Sequence, residues 1–255
     1  MVGPMGFTDM DHEGMLTFGY DEVGTMATIY NYPYYVDHMH RMGFAKDAGW
    51  VEFYVKVPDK VPDKYARIAR IVQQREGLKV KKFKSRKKVK AQYGHALFEL
   101  INEAYDKLYG YSPLTPRQID YYVDMYLGIL NLDYVTVITD ADDKIVAAGI
   151  SIQSFSRALQ KSRGRLFPFG WWHMLRALMG HSDAVDLLLI AVKPEYQSKG
   201  VNALIFNDLI PQYIKSGFGH AETNLELEDN TKVQNQWDYF ENRLHRRRAT
   251  FRKPL

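Results

Sequence analysis

The chain contains no cysteine. That excludes disulfides, thiolate metal sites, cysteine nucleophiles and cysteine-held iron–sulfur clusters together, and it agrees with a reducing, cytoplasmic setting. Long apolar runs are also missing. Leu187–Val192 falls far short of the roughly 20 residues a spanning helix needs, and Met1-Val2-Gly3-Pro4 opens no basic-then-apolar secretory signal. The expectation is a cytoplasmic protein with no transmembrane segment. Charge of one sign is scarce as well: 34 Lys and Arg against 30 Asp and Glu leave +4, too little to mark a nucleic-acid binder from bulk charge.

What is present is ordinary globular material. At about 150 residues per domain, 255 residues make roughly 1.7 domains. A hydrophobic share of 46% with 25% charged residues rules out a disordered chain or a fibre. Aromatics reach 14%, with tyrosine dominant, and many cluster: Tyr30 to Tyr35, Tyr121-Tyr122, Trp171-Trp172. Such clusters pack cores and interfaces more often than they line ligand clefts.

Periodicity sets the element order. Residues 1–30 read as loops around short strands, 33–44 as a short helix ended by Gly43, and 50–57 as a strand with Val51, Phe53, Val55 and Val57 on one face. A helix follows up to Gly77, then a short strand at 78–83 and a helix over about 91–109. Thr115-Pro116 caps a third helix through about Ile129. Two strands, 134–139 and 144–151, flank the polar turn Asp140 to Asp143 and predict a hairpin. Residues 155–182 read as helical or irregular, 184–192 as a buried strand, 201–214 as a helix, 220–224 as a strand, 230–242 as a helix and 244–253 as a closing strand. The intermixing predicts an α/β class with a mixed sheet.

The segment from Leu187 to Leu204 is the most informative. An apolar strand passes through a proline turn into a loop with Gly200, and a helix starts at once. Loop and helix N–H groups can converge there on an anion, and Lys199 adds charge. The alternative is a plain strand-to-helix connection.

The run Val192-Lys193-Pro194-Glu195-Tyr196-Gln197-Ser198-Lys199-Gly200-Val201-Asn202-Ala203 resembles the acetyl-CoA loop of the GNAT superfamily of N-acetyltransferases, written Gln/Arg-x-x-Gly-x-Gly/Ala after a strand ending Val-x-Pro. Gln197 and Gly200 match, while Asn202 stands where Gly or Ala is usual. The upstream hairpin, the strand at 220–224 and the run Asn230-x-x-Val233-x-x-x-Trp237 are similar to the family's succeeding elements, so the resemblance covers about 90–255. More weakly, 34–44 with the strand at 50–57 is similar to the end of another GNAT domain, as in an N-terminally truncated bacterial tandem-GNAT protein.

The resemblance implies a mixed, largely antiparallel α/β sheet flanked by helices. The GNAT-like acyl-CoA N-acyltransferase fold would be preceded by a partial lobe: 1–57 as closing elements, 58–90 as a basic connection, 91–255 as a complete domain. It implies direct acyl transfer from acetyl-CoA or another acyl-CoA to a small-molecule or peptide amine, without metal. Val192, Gln197, Ser198, Lys199, Gly200, Val201, Asn202, Ala203 and Asn230 would hold the cofactor, with an N–H near Val192 polarising the thioester. Base candidates are Glu222, Glu226, Glu228 and Asp186. The family's tyrosine acid is replaced by Trp237, and Tyr239 lies about 200° round a helix from it. A GNAT-like binding protein without catalysis is therefore the rival expectation, and a homodimer is left open.

Two basic stretches stand apart. Residues 79–90 hold eight cations in twelve. They could meet nucleic-acid or membrane phosphates, although a solvated connection is the plainer reading and nucleic acid is not the expected partner. In 244–253 the pattern puts Arg246, Arg248 and Arg252 on one face, to accept an acidic substrate or to pair with carboxylates. Residues 165–173 read as an acceptor-pocket wall or lid, or more commonly as core or interdomain packing. His12-Glu13, His38 with His40, and Ser151, Ser154 and Ser156 lack the spacing of metal or nucleophile motifs.

Overall fold

A computed structural model describes residues 1–8, 10–127, 130–180 and 182–255. In chain order the strands and α-helices are β1 (Val2–Gly3), β2 (Met15–Phe18), α1 (Tyr34–Arg41), β3 (Ala45–Lys56), α2 (Asp63–Glu76), β4 (Lys79–Lys81), α3 (Arg86–Tyr105), α4 (Pro116–Leu127), β5 (Val135–Thr139) and β6 (Ile145–Gln153). They continue with α5 (Ser156–Ser162), α6 (Gly170–Leu178), β7 (Ala184–Val192), α7 (Asn202–Lys215), β8 (His220–Thr223), β9 (Glu226–Leu227), α8 (Thr231–Gln234) and β10 (Asn242–Arg252). The class is mixed α/β with an open, mostly antiparallel sheet flanked by helices.

The chain divides into two compact units, each discontinuous in sequence. The first comprises 1–56, 153–186 and 218–255; the second comprises 57–152 and 187–217.

In the first unit, β10 pairs antiparallel with β3, from Asn242 opposite Val55 to Arg252 opposite Ala45, and also with β1 and β2. β3 in turn pairs with β8 and β9. Met15, Ala249 and Phe251 are buried against Val36, Met39 and Phe44, which α1 and its following turn supply. Register shifts at Leu244/Arg246 and Ala249/Phe251 interrupt the alternation of β10. Arg246 and Arg248 turn inward together as alternation predicts, while Arg252, beyond the second shift, is exposed and pairs with Asp47 at 3.3 Å.

In the second unit, β4, β5 and β6 form an antiparallel ladder, with β5 wholly buried. Helices α3 and α4 cover it through Leu97, Leu100, Ile101, Ile119 and Val123. Helix α3 begins five residues before the expected start because the Ser85 hydroxyl caps it, accepting from Lys88 N–H at 3.4 Å. At α4, Thr115 Oγ1 accepts from Gln118 N–H while Gln118 Oε1 accepts from Thr115 N–H at 2.9 Å, a reciprocal capping box. Its expected end at Ile129 lies outside the described residues. Helix α7 passes so near β6 that a Cβ on Gly149 would stand 2.3 Å from Ile205 Cγ2. Of the basic stretch 79–90, Val89 is fully buried, and Lys81, Lys82 and Lys90 pair with Asp143, Asp208 and Asp124.

One expected element differs. Residues 230–242 do not form one continuous helix: 231–239 is helical, but as a single α turn (α8) followed by a 3₁₀ turn at 235–239, and β10 begins at Asn242. The Asn242 amide donates to the carbonyls of Trp237 (2.8 Å) and Phe240 (3.1 Å), taking acceptors that a continuing helix would use.

Candidate acyl-transfer site

The candidate residues fall into two groups, one in each unit. In the second unit, β7 ends at Val192, Pro194–Tyr196 forms a 3₁₀ turn, and α7 starts at Asn202. Gln197 folds back, its amide donating to the Val192 carbonyl at 3.1 Å, so the loop is pinned to the strand end. Ser198 (φ 61°) and Gly200 (φ 84°) both lie in the left-handed region. A Cβ on Gly200 would sit 2.9 Å from Ile68 and 3.4 Å from Val72 of α2, so glycine is needed for both conformation and space.

Among the described residues, none accepts a hydrogen bond from the N–H of Ser198, Gly200 or Val201. Ala203 N–H, by contrast, bonds to Gly200 O at 3.0 Å; Val201 and Ala203 are both buried. Lys199 pairs with Glu76 at 3.4 Å and lies over the Tyr196 ring, leaving its ammonium beside the loop. Asn202 opens α7 and is half-buried. The arrangement of open donors at a helix start, with a cation alongside, fits a pyrophosphate.

Sequence reasoning missed Tyr105. It closes α3, and its hydroxyl donates to the Ile190 carbonyl on β7 at 3.1 Å, two residues before Val192. No local pattern marks it, because the contact joins residues 85 positions apart.

In the first unit the candidate carboxylates differ sharply. Glu222 lies beside the Arg246 guanidinium, with Nη2 at 3.1 Å, and beside two imidazoles, His245 Nε2 at 2.9 Å and His220 Nε2 at 3.4 Å. Although burial acts to raise its pKa, these partners hold it down at about 2. Glu228 is lowered too, chiefly by Lys46 and also by Arg247 at 2.8 Å. Glu226 is raised to about 8 by burial; Oε1 accepts from Trp237 Nε1 at 2.8 Å, while the buried Oε2 has no hydrogen-bond partner among the described residues. Asp186 is raised to about 7, again by burial, with a Ser154 hydroxyl bond opposing; its Oδ1 likewise has no partner among the described residues.

Trp237 is buried as the partner of Glu226, whereas Tyr239 is half exposed on the 3₁₀ turn. Asn230 precedes α8 and accepts from Val233 N–H at 3.1 Å. Behind Glu222 lies Glu52, wholly buried, which accepts from Arg246 Nε at 2.8 Å and Arg248 Nε at 2.9 Å. These arginines are therefore occupied by carboxylates. Among the described residues no cluster of three or more ligating side chains could hold a metal ion, and no helix is long and apolar enough to cross a membrane.

No protein-family model matches the chain. Protein YghO of Escherichia coli K12 is 20% identical over 258 residues, covering 99% of this chain and 65% of that protein. The chain thus spans about two thirds of that relative's length. A GCN5-related N-acetyltransferase from Sphaerobacter thermophilus superposes with a TM-score of 0.55 at 11% identity, over 86% of this chain and 55% of that one. A glucosamine N-acetyltransferase region of a fungal multi-domain β-N-acetylglucosaminidase gives 0.51 at 12%, over 85% of this chain and 22% of that one. With the antiparallel sheet and the strand–loop–helix run from Val192 to Ala203, these likenesses establish that the chain has the fold of the GCN5-related N-acetyltransferases.

Proposed function

We propose that the protein is an acyl-CoA-dependent N-acyltransferase, with acetyl-CoA the first donor to test and an amine as acceptor. The observation that carries this reading is the Val192 to Ala203 connection, where the N–H groups of Ser198, Gly200 and Val201 at the start of α7 have no acceptor among the described residues. A pyrophosphate would be held by those donors and by Lys199, with Gln197 and Asn202 shaping the loop and Ala203 packing it down. When bound, an acyl-CoA supplies an activated thioester.

The rest is assigned to the chain. Positioning the amine against the acyl carbon supplies much of the rate. A general base works best with a pKa near the operating pH, and among the candidate carboxylates Asp186, which burial puts at about 7, is the base candidate to test first. Glu222, held at about 2, is too weakly basic and serves to fix His245 and Arg246. Tyr105, in the same unit as the loop, is preferred over Tyr239 as the acid for the leaving thiolate.

Isothermal titration with acetyl-CoA and CoA tests the binding step, and no heat at high ligand concentration overturns it. Val201→Pro deletes one N–H at a residue whose φ of −61° suits proline. It should weaken binding about tenfold relative to Val201→Ala, which loses packing but keeps the donor. In turnover with an amine panel, Tyr105→Phe should lower kcat at least about tenfold with little change in KM. Binding without turnover of any amine would support the rival reading of a ligand-binding protein, to which the buried Trp237 points.

A further inference from the structure

Residues 155–180 place an apolar surface where water should be. Helix α6 buries only Gly170 and Ala177. Its large side chains Trp171, Leu175 and Leu178, at i, i+4 and i+7, form an outward stripe that Trp172 and Met179 widen. In the approach to the helix, Phe167 and Phe169 are 75% and 73% exposed. This is an amphipathic helix turned with its greasy face out, and a contiguous exposed patch of this kind marks an interaction surface. The expectation that 165–173 packs a core is therefore not met by these side chains.

Charge identifies the partner. The 155–180 segment carries Arg157, Lys161, Arg163, Arg165 and Arg176 and no Asp or Glu, a net of +5. The whole chain is +4, so +4 minus +5 leaves the remaining residues at −1. Beside α5 and α6 lies a cavity of about 250 Å³ lined by Lys161, His173, Arg176, Ser154 and Ser182. The acid at its rim, Asp183, is engaged by Arg157 at 2.9 Å.

We propose that the α5–α6 hairpin is a docking surface for an anionic phospholipid membrane. Trp171, Trp172, Phe167 and Phe169 enter the headgroup boundary, where tryptophan is favoured. The surrounding cations meet lipid phosphates, one of them within the cavity. A second copy of the chain is a poor occupant, because a two-fold contact would press one +5 surface onto another.

The test uses the full chain with phosphatidylcholine vesicles, with and without phosphatidylglycerol. Co-sedimentation is expected with the anionic vesicles only, together with a blue shift in tryptophan emission. Trp50 and Trp237 are already 3% exposed, so that shift reports Trp171 and Trp172. The pairs Phe167→Ser with Phe169→Ser, and Arg163→Gln with Arg165→Gln, should each lower partitioning at least about tenfold. These sites are exposed, so circular dichroism should be unchanged. Absent or equal binding to the two vesicle types would overturn the proposal, as would indifference to both variant pairs. Two further results assign the face elsewhere and equally refute it: single-stranded RNA displacing the vesicles, or a dimer in solution that Trp172→Ser dissolves.

Discussion

Asp186 and Glu226 each keep one buried carboxyl oxygen without a partner among the described residues, and burial raises both pKa values, to about 7 and about 8. Unfolding returns them to ordinary carboxylates, so between about pH 4 and 8 the folded chain binds more protons than the unfolded one. Stability contributed by these groups therefore falls as pH rises through that window. Urea unfolding at pH 5 and pH 8 should show it, with Asp186→Asn and Glu226→Gln flattening the slope by on the order of 1–3 kcal/mol each. Glu222 has the opposite sign: its stabilisation is complete above its unfolded pKa and is lost as pH falls towards about 2. Glu52 is a different case, a wholly buried carboxylate shared by two arginines. Glu52→Gln should cost about 3–5 kcal/mol, read as a lower urea midpoint, because it takes the carboxylate partner from buried Arg248 and leaves Arg246 with the carboxylate of Glu222. At this scale Gln197 and Gly200 were legible, since their roles are local backbone geometry. Tyr105 and the unpaired state of Asp186 were not, because both depend on residues distant in sequence.

Between elements, shape decides. Gly149 on β6 lets α7 approach, and Ile205 occupies the volume a Cβ would need. Gly149→Ala should lower stability by about 1–3 kcal/mol. The double variant with Ile205→Ala should recover part of the loss of Gly149→Ala when measured against Ile205→Ala alone, the signature of a shared contact. Thermal melts of the four chains check it. The hairpin of β5 and β6, strand β7 and helix α7 were all readable, because hydrophobic period and turn chemistry are encoded within each segment. Helix α3 starts before its hydrophobic period does because Ser85 caps it. The helical segment expected over 230–242 stops at 239 because the Asn242 side chain claims the carbonyls that would continue it.

Across the whole molecule, the ladder between β3 and β10 joins residues roughly two hundred positions apart. Neither strand's pattern names its partner, so the sheet order of the first unit lay beyond sequence reasoning even where the strands themselves did not. Removing residues 242–255 would strip β3 of that neighbour, together with Phe251 and Ala249 from the core and the partners of Glu52. The truncated chain should lose protease resistance at 1–56, detectable by limited digestion and mass spectrometry.

The interleaving of the two units also fixes an order of events on the ribosome. Residues 57–152 and 187–217 are all synthesised before the last segment of the first unit, 218–255, leaves the exit tunnel. The second unit can therefore close during translation, whereas residues 1–56, made earlier, must wait for β10 with β3 unpaired on its main edge. Through that interval a strand carrying Trp50, Val51 and Val55 is open to other nascent chains. Holdase chaperones should bind most strongly to stalled chains in which 1–217 has cleared the exit tunnel while β10 is still inside it, and crosslinks to 45–56 should vanish once β10 emerges.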